Sequence, residues 1–168
     1  MSTFFHKFEV RWSDLDANRH MANSSYMMYC AQARMAFMYA NGLRMATLVH
    51  WGLGPVILHE EFSFYKEITA DQFVYVSVEL TGMSEDGSIF AFTHKFYTPE
   101  GTHRATSRVV GVWIDSMLRK ITIPSEDILD AFAKYKTDQM EILTMEDIKN
   151  LSSKPQNIDR SAFQKPNL

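Results

Sequence analysis

Asn23-Ser24-Ser25-Tyr26-Met27-Met28-Tyr29-Cys30-Ala31-Gln32-Ala33-Arg34-Met35-Ala36-Phe37-Met38-Tyr39-Ala40-Asn41-Gly42 is apolar on almost every side. Asn23, Ser24 and Ser25 offer side-chain oxygens for a helix N-cap, the run from Tyr26 to Ala40 carries the helix, and Asn41-Gly42 supplies a left-handed stop. Within the run only Gln32 and Arg34 are strongly polar. A helix with so little polar face must be wrapped by other structure, because exposing it forfeits roughly 25 cal/mol per Å² of apolar surface.

The segments on either side are fitted to do the wrapping. Phe4 to Trp12 places Phe4, Phe8, Val10 and Trp12 in a pattern of period two over its second half, which predicts a strand. After the turn-rich Gly52-Leu53-Gly54-Pro55 come four strand-like blocks: Val56 to Tyr65, Phe73 to Leu80, Ile89 to Tyr97 and Thr106 to Ile114. Asp86-Gly87 is a hairpin signal and Glu100-Gly101 marks another turn. The order strand, apolar helix, four consecutive strands is satisfied by one antiparallel sheet curled around one helix, an α+β architecture. Pro124-Ser125-Glu126-Asp127 opens a further helix to about Lys136, with Ser125 as cap and acids in its first turn. Thr144-Met145-Glu146-Asp147 starts a short third one, and from Leu151 the composition is that of a loose tail. Residues 1–137 are expected to form the domain and residues 138–168 a partly disordered C-terminal extension.

Bulk properties narrow the partners. The 168 residues suit one domain, and 46% hydrophobic with 22% charged residues is ordinary for a globular protein. A net charge of -3 and a pI near 6.1 argue against nucleic acid as the main partner, since phosphate binding demands a basic surface. Cys30 is the only cysteine, which excludes an internal disulfide and a cysteine metal cage. The first residues do not read as a signal peptide and no apolar run approaches the ~18 residues of a membrane span, so a cytoplasmic protein is expected.

Chemistry concentrates between the first strand and the apolar helix, in Ser13-Asp14-Leu15-Asp16-Ala17-Asn18-Arg19-His20-Met21-Ala22-Asn23-Ser24-Ser25-Tyr26. Asp, Asn and Ser are common ahead of helices for hydrogen-bonding reasons alone, so a plain capping loop is one reading. The other is a site, because free amides at a helix start stabilise developing negative charge and a carboxylate beside them can act as base or nucleophile.

The run Val10 to Tyr26, with its Asp14-Leu15-Asp16-Ala17-Asn18-Arg19-His20, resembles the opening motif of the hot-dog-fold thioesterases of the 4-hydroxybenzoyl-CoA thioesterase type. It is also similar to the Asp-Leu-Asp-x-Asn-x-His motif of the plastid acyl-carrier-protein thioesterases. The resemblance covers roughly residues 5–130, including Phe64-Tyr65-Lys66-Glu67 and Val112-Trp113-Ile114-Asp115. It implies a hot-dog fold, a sheet of about five strands around one long buried helix, and hydrolysis of an acyl-CoA or acyl-carrier-protein thioester without a cofactor, coenzyme A arriving as part of the substrate.

The family's catalytic carboxylate matches Asp16, and its oxyanion amide falls at Asn23, with Ser24 as a second donor. Asp14 is then a loop-stabilising acceptor. Asn18 and His20 match the plastid motif; His20 either positions water or protonates the departing thiolate, or simply bonds the loop backbone. Asn23, Ser24, Tyr26 and Glu67 are the expected substrate contacts, Glu67 having a solvated surface charge as its alternative. The plastid group's doubled Asn after His is here Met21-Ala22-Asn23, a departure that bears on His20.

Other chemistries lack a pattern. There is no Gly-x-Ser-x-Gly elbow, and the six histidines show no metal-ligand spacing, so no metal is expected. Cys30 reads as core. Arg19, Lys66, Lys95, Arg104, Arg108, Arg119 and Lys120 are available to coenzyme A phosphates. Phe37, Met38 and Leu58 are the expected pocket-depth residues, contributed across an interface. The open edges of such a sheet predict a homodimer or a dimer of dimers. Two competing functions remain at this point: a non-catalytic acyl-thioester-binding module and a hot-dog hydratase or dehydratase.

Overall fold

The computed structural model describes residues 3–151 and 155–160. Five long strands form one antiparallel sheet in the order β1-β3-β4-β5-β2: β1 Phe4–Glu9, β2 Leu53–Phe64, β3 Phe73–Met83, β4 Ile89–Tyr97 and β5 His103–Asp115. The sheet curls around α1, Asn23–Ala40. This is the α+β sheet around one helix that the strand order predicts, the hot-dog architecture that the resemblance implies. Two-residue strands extend it, β6 (Lys120–Ile121) pairing with β5 and β7 (Glu141–Ile142) running parallel to β3.

Alternation builds the core. Val74, Val76, Val78 and Leu80 of β3 and Phe90, Phe92, His94 and Phe96 of β4 are all buried, and they meet Tyr29, Cys30, Ala33 and Phe37 of α1. Phe132 and Ile128 of α3 (Glu126–Ala133) close one end, with Phe132 packed on Phe37, Phe92 and Trp113. The Asp86-Gly87 hairpin forms, and Gly87 has φ +75°, a conformation that a side chain strains.

Several expectations change. The first strand ends at Glu9 rather than Trp12; Trp12–Asp14 is one 3-10 turn and Trp12 is 87% exposed. Alternation alone did not register that the Arg11 amide bonds the Asp14 carboxylate and bends the chain away from the sheet. Asn23, Ser24 and Ser25 are not caps but the first turn of α1, with Ala22 at the cap position and no side-chain cap bond. The chain enters the helix on backbone bonds instead, from the Ala22 amide to the Asp14 carbonyl and from the Met21 amide to the Ile68 carbonyl.

Wrapping of α1 is also one-sided within a single chain. Its buried stripe faces the sheet, while Met27 and Met28 remain 51% and 53% exposed. A six-residue helix, α2 (Met45–His50), was not foreseen; it is held by one buried side chain, Leu48, and contains β-branched Thr47 and Val49. Ser125 is the N-cap of α3 as expected, but its hydroxyl is buried without a partner among the described residues.

Residues of the expected extension pack on the outer sheet face. Leu143 is buried with Ile89, Ala91, Val110 and Val112, and α4 (Met145–Asn150) begins on a Thr144–Asp147 capping box. The reading of the remainder as a loose tail falls partly on residues 152–154 and 161–168, outside the described residues.

Candidate active site

The loop before α1 is organised around its two carboxylates. Asp14 Oδ2 accepts the Arg11 amide at 2.8 Å and lies 2.8 Å from the Tyr29 hydroxyl, whose one proton it shares with the Glu9 carbonyl at 3.0 Å. Burial, then the Asp14 carboxylate, push the Tyr29 hydroxyl well above its ordinary range. Asp14 is thus spent on holding the loop to the helix.

Asp16 is held differently. Its Oδ1 accepts the Asn18 amide at 2.8 Å and the His20 amide at 3.1 Å, while its own amide donates to the His20 carbonyl at 2.8 Å. Arg19 takes φ +63° to close this tight turn. One carboxylate oxygen is fixed by two backbone donors, and Oδ2 has no hydrogen-bond partner among the described residues. The side chain is exposed in the single chain.

It lines a cavity of about 440 Å³ together with His20, Met21, Asn23 and Tyr26 from the loop and helix. Phe64, Tyr65, Lys66 and Glu67 form the opposite wall, at the end of β2. The two walls are joined by the bridge between His20 and Thr69 and by the bond from Met21 to Ile68. Five of the seven site residues read from the sequence therefore share one concave space: Asp16, His20, Asn23, Tyr26 and Glu67.

Asn18 and Ser24 do not line it. Asn18 contributes its amide to Asp16, and the Ser24 amide is engaged at 2.9 Å by the Asn23 side-chain oxygen. The Asn23 amide has no acceptor among the described residues and stands at the positive end of an eighteen-residue helix.

The electrostatics of the wall follow from its charges. Glu67 is held below the ordinary carboxylate range, first by its own backbone amide and further by His20, Lys66 and Arg104. Tyr26, buried against the rings of Phe64 and Phe96, is raised by burial, with Arg104 opposing and Glu67 adding. The aromatic wall of Phe64 and Tyr65 was not singled out as part of the site. The signal was its position next to Lys66-Glu67, at the point where a strand ends opposite the acidic loop.

Against Asp16 lies a second, larger hollow of about 940 Å³, lined by Trp12, Ser13, Leu15, Arg19, Thr69, Ala70 and Asp71. Phe37 and Met38, expected at a pocket, lie instead in the core, while Leu58 is exposed at the register shift of β2. Among the described residues no group of three or more His, Cys, Asp or Glu gathers as for a metal ion, and no helix is long and apolar enough to cross a membrane.

Comparison with known proteins identifies the family. The family model of the thioesterase-like superfamily matches residues 10–132. A Staphylococcus aureus protein solved in complex with CoA is similar over 92% of this chain and 96% of its own, at 19% identity and a TM-score of 0.76. A 1,4-dihydroxy-2-naphthoyl-CoA thioesterase from Synechocystis is similar over 79% and 96%, at 16% identity and a TM-score of 0.72. A DHNA-CoA thioesterase from Staphylococcus aureus covers 80% and 91%, at 16% identity and 0.73. At these identities the likeness is one of fold. No curated protein matches the chain in sequence.

Proposed function

The chain belongs to the thioesterase-like superfamily, and on that premise we propose that it hydrolyses an acyl-CoA or acyl-carrier-protein thioester to the free acid and thiol, with Asp16 as the reacting carboxylate. One observation carries this reading: the unpartnered Oδ2 of Asp16 and the helix-start residue Asn23, with its free amide, line the same cavity. A thioester carbonyl between them meets a base or nucleophile on one side and an oxyanion donor on the other.

As a base, Asp16 takes a proton from water as the water oxygen attacks the carbonyl carbon. As a nucleophile, it forms an acyl-carboxylate anhydride that water then opens. In both routes the carbonyl oxygen gains charge beside the Asn23 amide, a type of contact worth roughly 2.7–4 kcal/mol where single donors have been removed from enzymes. The C–S bond breaks and the thiolate leaves with little need of protonation, so in this reading His20, lining the cavity, orients water rather than serving as an obligatory acid.

The second hollow supports CoA as the carrier. With Arg19 on its rim and Trp12 exposed on its wall, it offers a cation and a flat apolar surface to a nucleotide-bearing thiol arm. That the Staphylococcus aureus relative binds CoA supports the same choice. A second copy of the chain completes the assembly: β2 is a free twelve-residue sheet edge, and Leu58, Phe64 and Met27 lie exposed beside it.

Thiol release measured over a panel of straight-chain, aromatic and hydroxylated acyl-CoA and acyl-carrier-protein substrates tests the proposal. Turnover of at least one class supports it. Saturable binding without thiol release across the whole panel would identify an acyl-binding module instead.

A further inference from the structure

Tyr26 carries a polar atom that neither the fold nor the hydrolytic step uses. The residue is only 4% exposed, and its ring centroid lies 5.0 Å from those of Phe64 and Phe96. Its hydroxyl has no hydrogen-bond partner among the described residues, although a buried tyrosine hydroxyl normally finds one. The oxygen is not among the orphaned polar atoms sealed from solvent, and Tyr26 lines the Asp16 cavity. The hydroxyl therefore opens into that cavity.

Two charges of opposite sign act on it. Arg104 is one, with its Nε buried and no acceptor for it among the described residues. Glu67, on the cavity wall, is the other. Burial raises the Tyr26 hydroxyl and keeps it a proton donor, while Glu67 is held ionised and accepts only. One donor and one acceptor thus face the same space. A ligand hydroxyl satisfies both at once, accepting from Tyr26 and donating to Glu67. A carbonyl oxygen can only accept, a carboxylate is repelled by Glu67 and Asp16, and a methylene leaves both groups unpaired.

The position of this pair fixes which part of a substrate it meets. Asp16 lines both hollows, so a thioester reacting there has its thiol arm in one and its acyl group in the other. With the arm in the larger hollow, the acyl group enters the cavity that holds Tyr26. Tyr26 follows Asn23 by three residues, about 4.5 Å along α1 and on the same side of the helix. The Asn23 amide and the Tyr26 hydroxyl therefore address neighbouring atoms of one ligand: the carbonyl and the first carbons beyond it. The Tyr26 and Phe64 rings meet edge to face and form a packed wall at that depth.

We propose that the Asp16 cavity selects acyl groups bearing a hydroxyl on the second or third carbon, with Tyr26 donating to that hydroxyl and Glu67 accepting from it. Both act as specificity-determining residues. The inference rests on the thioester-hydrolase reading above and names its substrate class: short aliphatic 2- or 3-hydroxyacyl thioesters, in preference to plain or 3-oxo acyl thioesters of the same length.

The test compares kcat/KM for butanoyl-, 2-hydroxybutanoyl-, 3-hydroxybutanoyl- and 3-oxobutanoyl-CoA, with both configurations of each hydroxy acid. At least one hydroxy substrate should exceed butanoyl-CoA by about tenfold or more, the worth of a hydrogen bond to a charged group. Tyr26→Phe keeps the ring contacts and removes the donor, so the hydroxy-to-plain ratio should fall toward one whatever happens to the absolute rates. Glu67→Gln, at an exposed position, sets an amide donor in place of the acceptor and should move the preference from hydroxy toward 3-oxo. Should Tyr26→Phe fail to fold, the wild-type and Glu67→Gln ratios decide. The inference is overturned, and the hydrolase left standing, by a wild type that turns over butanoyl-CoA as well as every hydroxy member or hydrolyses only other thioesters. Ratios unmoved by both variants overturn it equally. Failure to release thiol from any thioester removes both readings.

Discussion

His94 illustrates how a residue's surroundings set its chemistry. It is fully buried, and burial, followed by the nearby Arg34 charge, holds its pKa down at about 3 against an ordinary 6.5. The folded chain therefore stays unprotonated there in mild acid while the unfolded chain takes up a proton. Stability should accordingly be full above about pH 6.5 and fall by about 1.4 kcal/mol per pH unit from this group as the pH drops toward 3. Urea unfolding of wild type and His94→Gln between pH 7 and pH 5 checks this: the wild-type slope should be steeper, and identical slopes would contradict it. Cys30, buried in the same region, has its thiol pushed up to about 12 by burial, which agrees with its reading as core. Asp16 and Asp14 were distinguishable in sequence only through the motif, because both are loop aspartates two residues apart. What separates them is their acceptor load, and that depends on Tyr29 arriving from another element.

Among the elements, α1 was readable from its near-uniform apolar composition over a helix length, and the strands from their alternation: β4 begins and ends at Ile89 and Tyr97 as the alternation predicts. Elements held by distant contacts were not. Nothing local marks α2, and the burial of Ile89 and Ala91 on the outer face of β4 makes sense only with Leu143 lying across them. The Arg34–Glu60–His94 group was equally hidden, since its members lie on α1, β2 and β4 and each alone reads as an ordinary polar residue. The β2–β5 pairing offers a test of how closely the sheet is built. A Cβ on Gly111 would lie 2.6 Å from the Phe90 ring and 2.7 Å from the Val56 carbonyl oxygen, so the strands must part to admit it. Gly111→Ala should cost about 1–3 kcal/mol in chemical denaturation. An unchanged midpoint would show that the edge strand yields freely.

For the molecule as a whole, a single chain leaves its apolar helix half-covered and its longest edge unpaired, although the helix composition demands wrapping on nearly all sides. The proposed second copy across β2 would resolve both. Light scattering at micromolar concentration should give at least twice the 19.4 kDa chain mass, and a value of 19.4 kDa would contradict that assembly. The sheet curled around one helix and the acidic loop were legible in the chain because period and composition are local properties. The cavity beside Asp16 was not, because it arises where the loop before α1 meets the end of β2. The proposed hydrolysis depends on the free oxygen of Asp16. Asp16→Asn is the direct measurement, because the asparagine oxygen can still accept the Asn18 and His20 amides while losing the charge. The account predicts a fall in kcat of about a hundredfold or more with KM and melting temperature near wild type; a variant that releases thiol at the wild-type rate would contradict it.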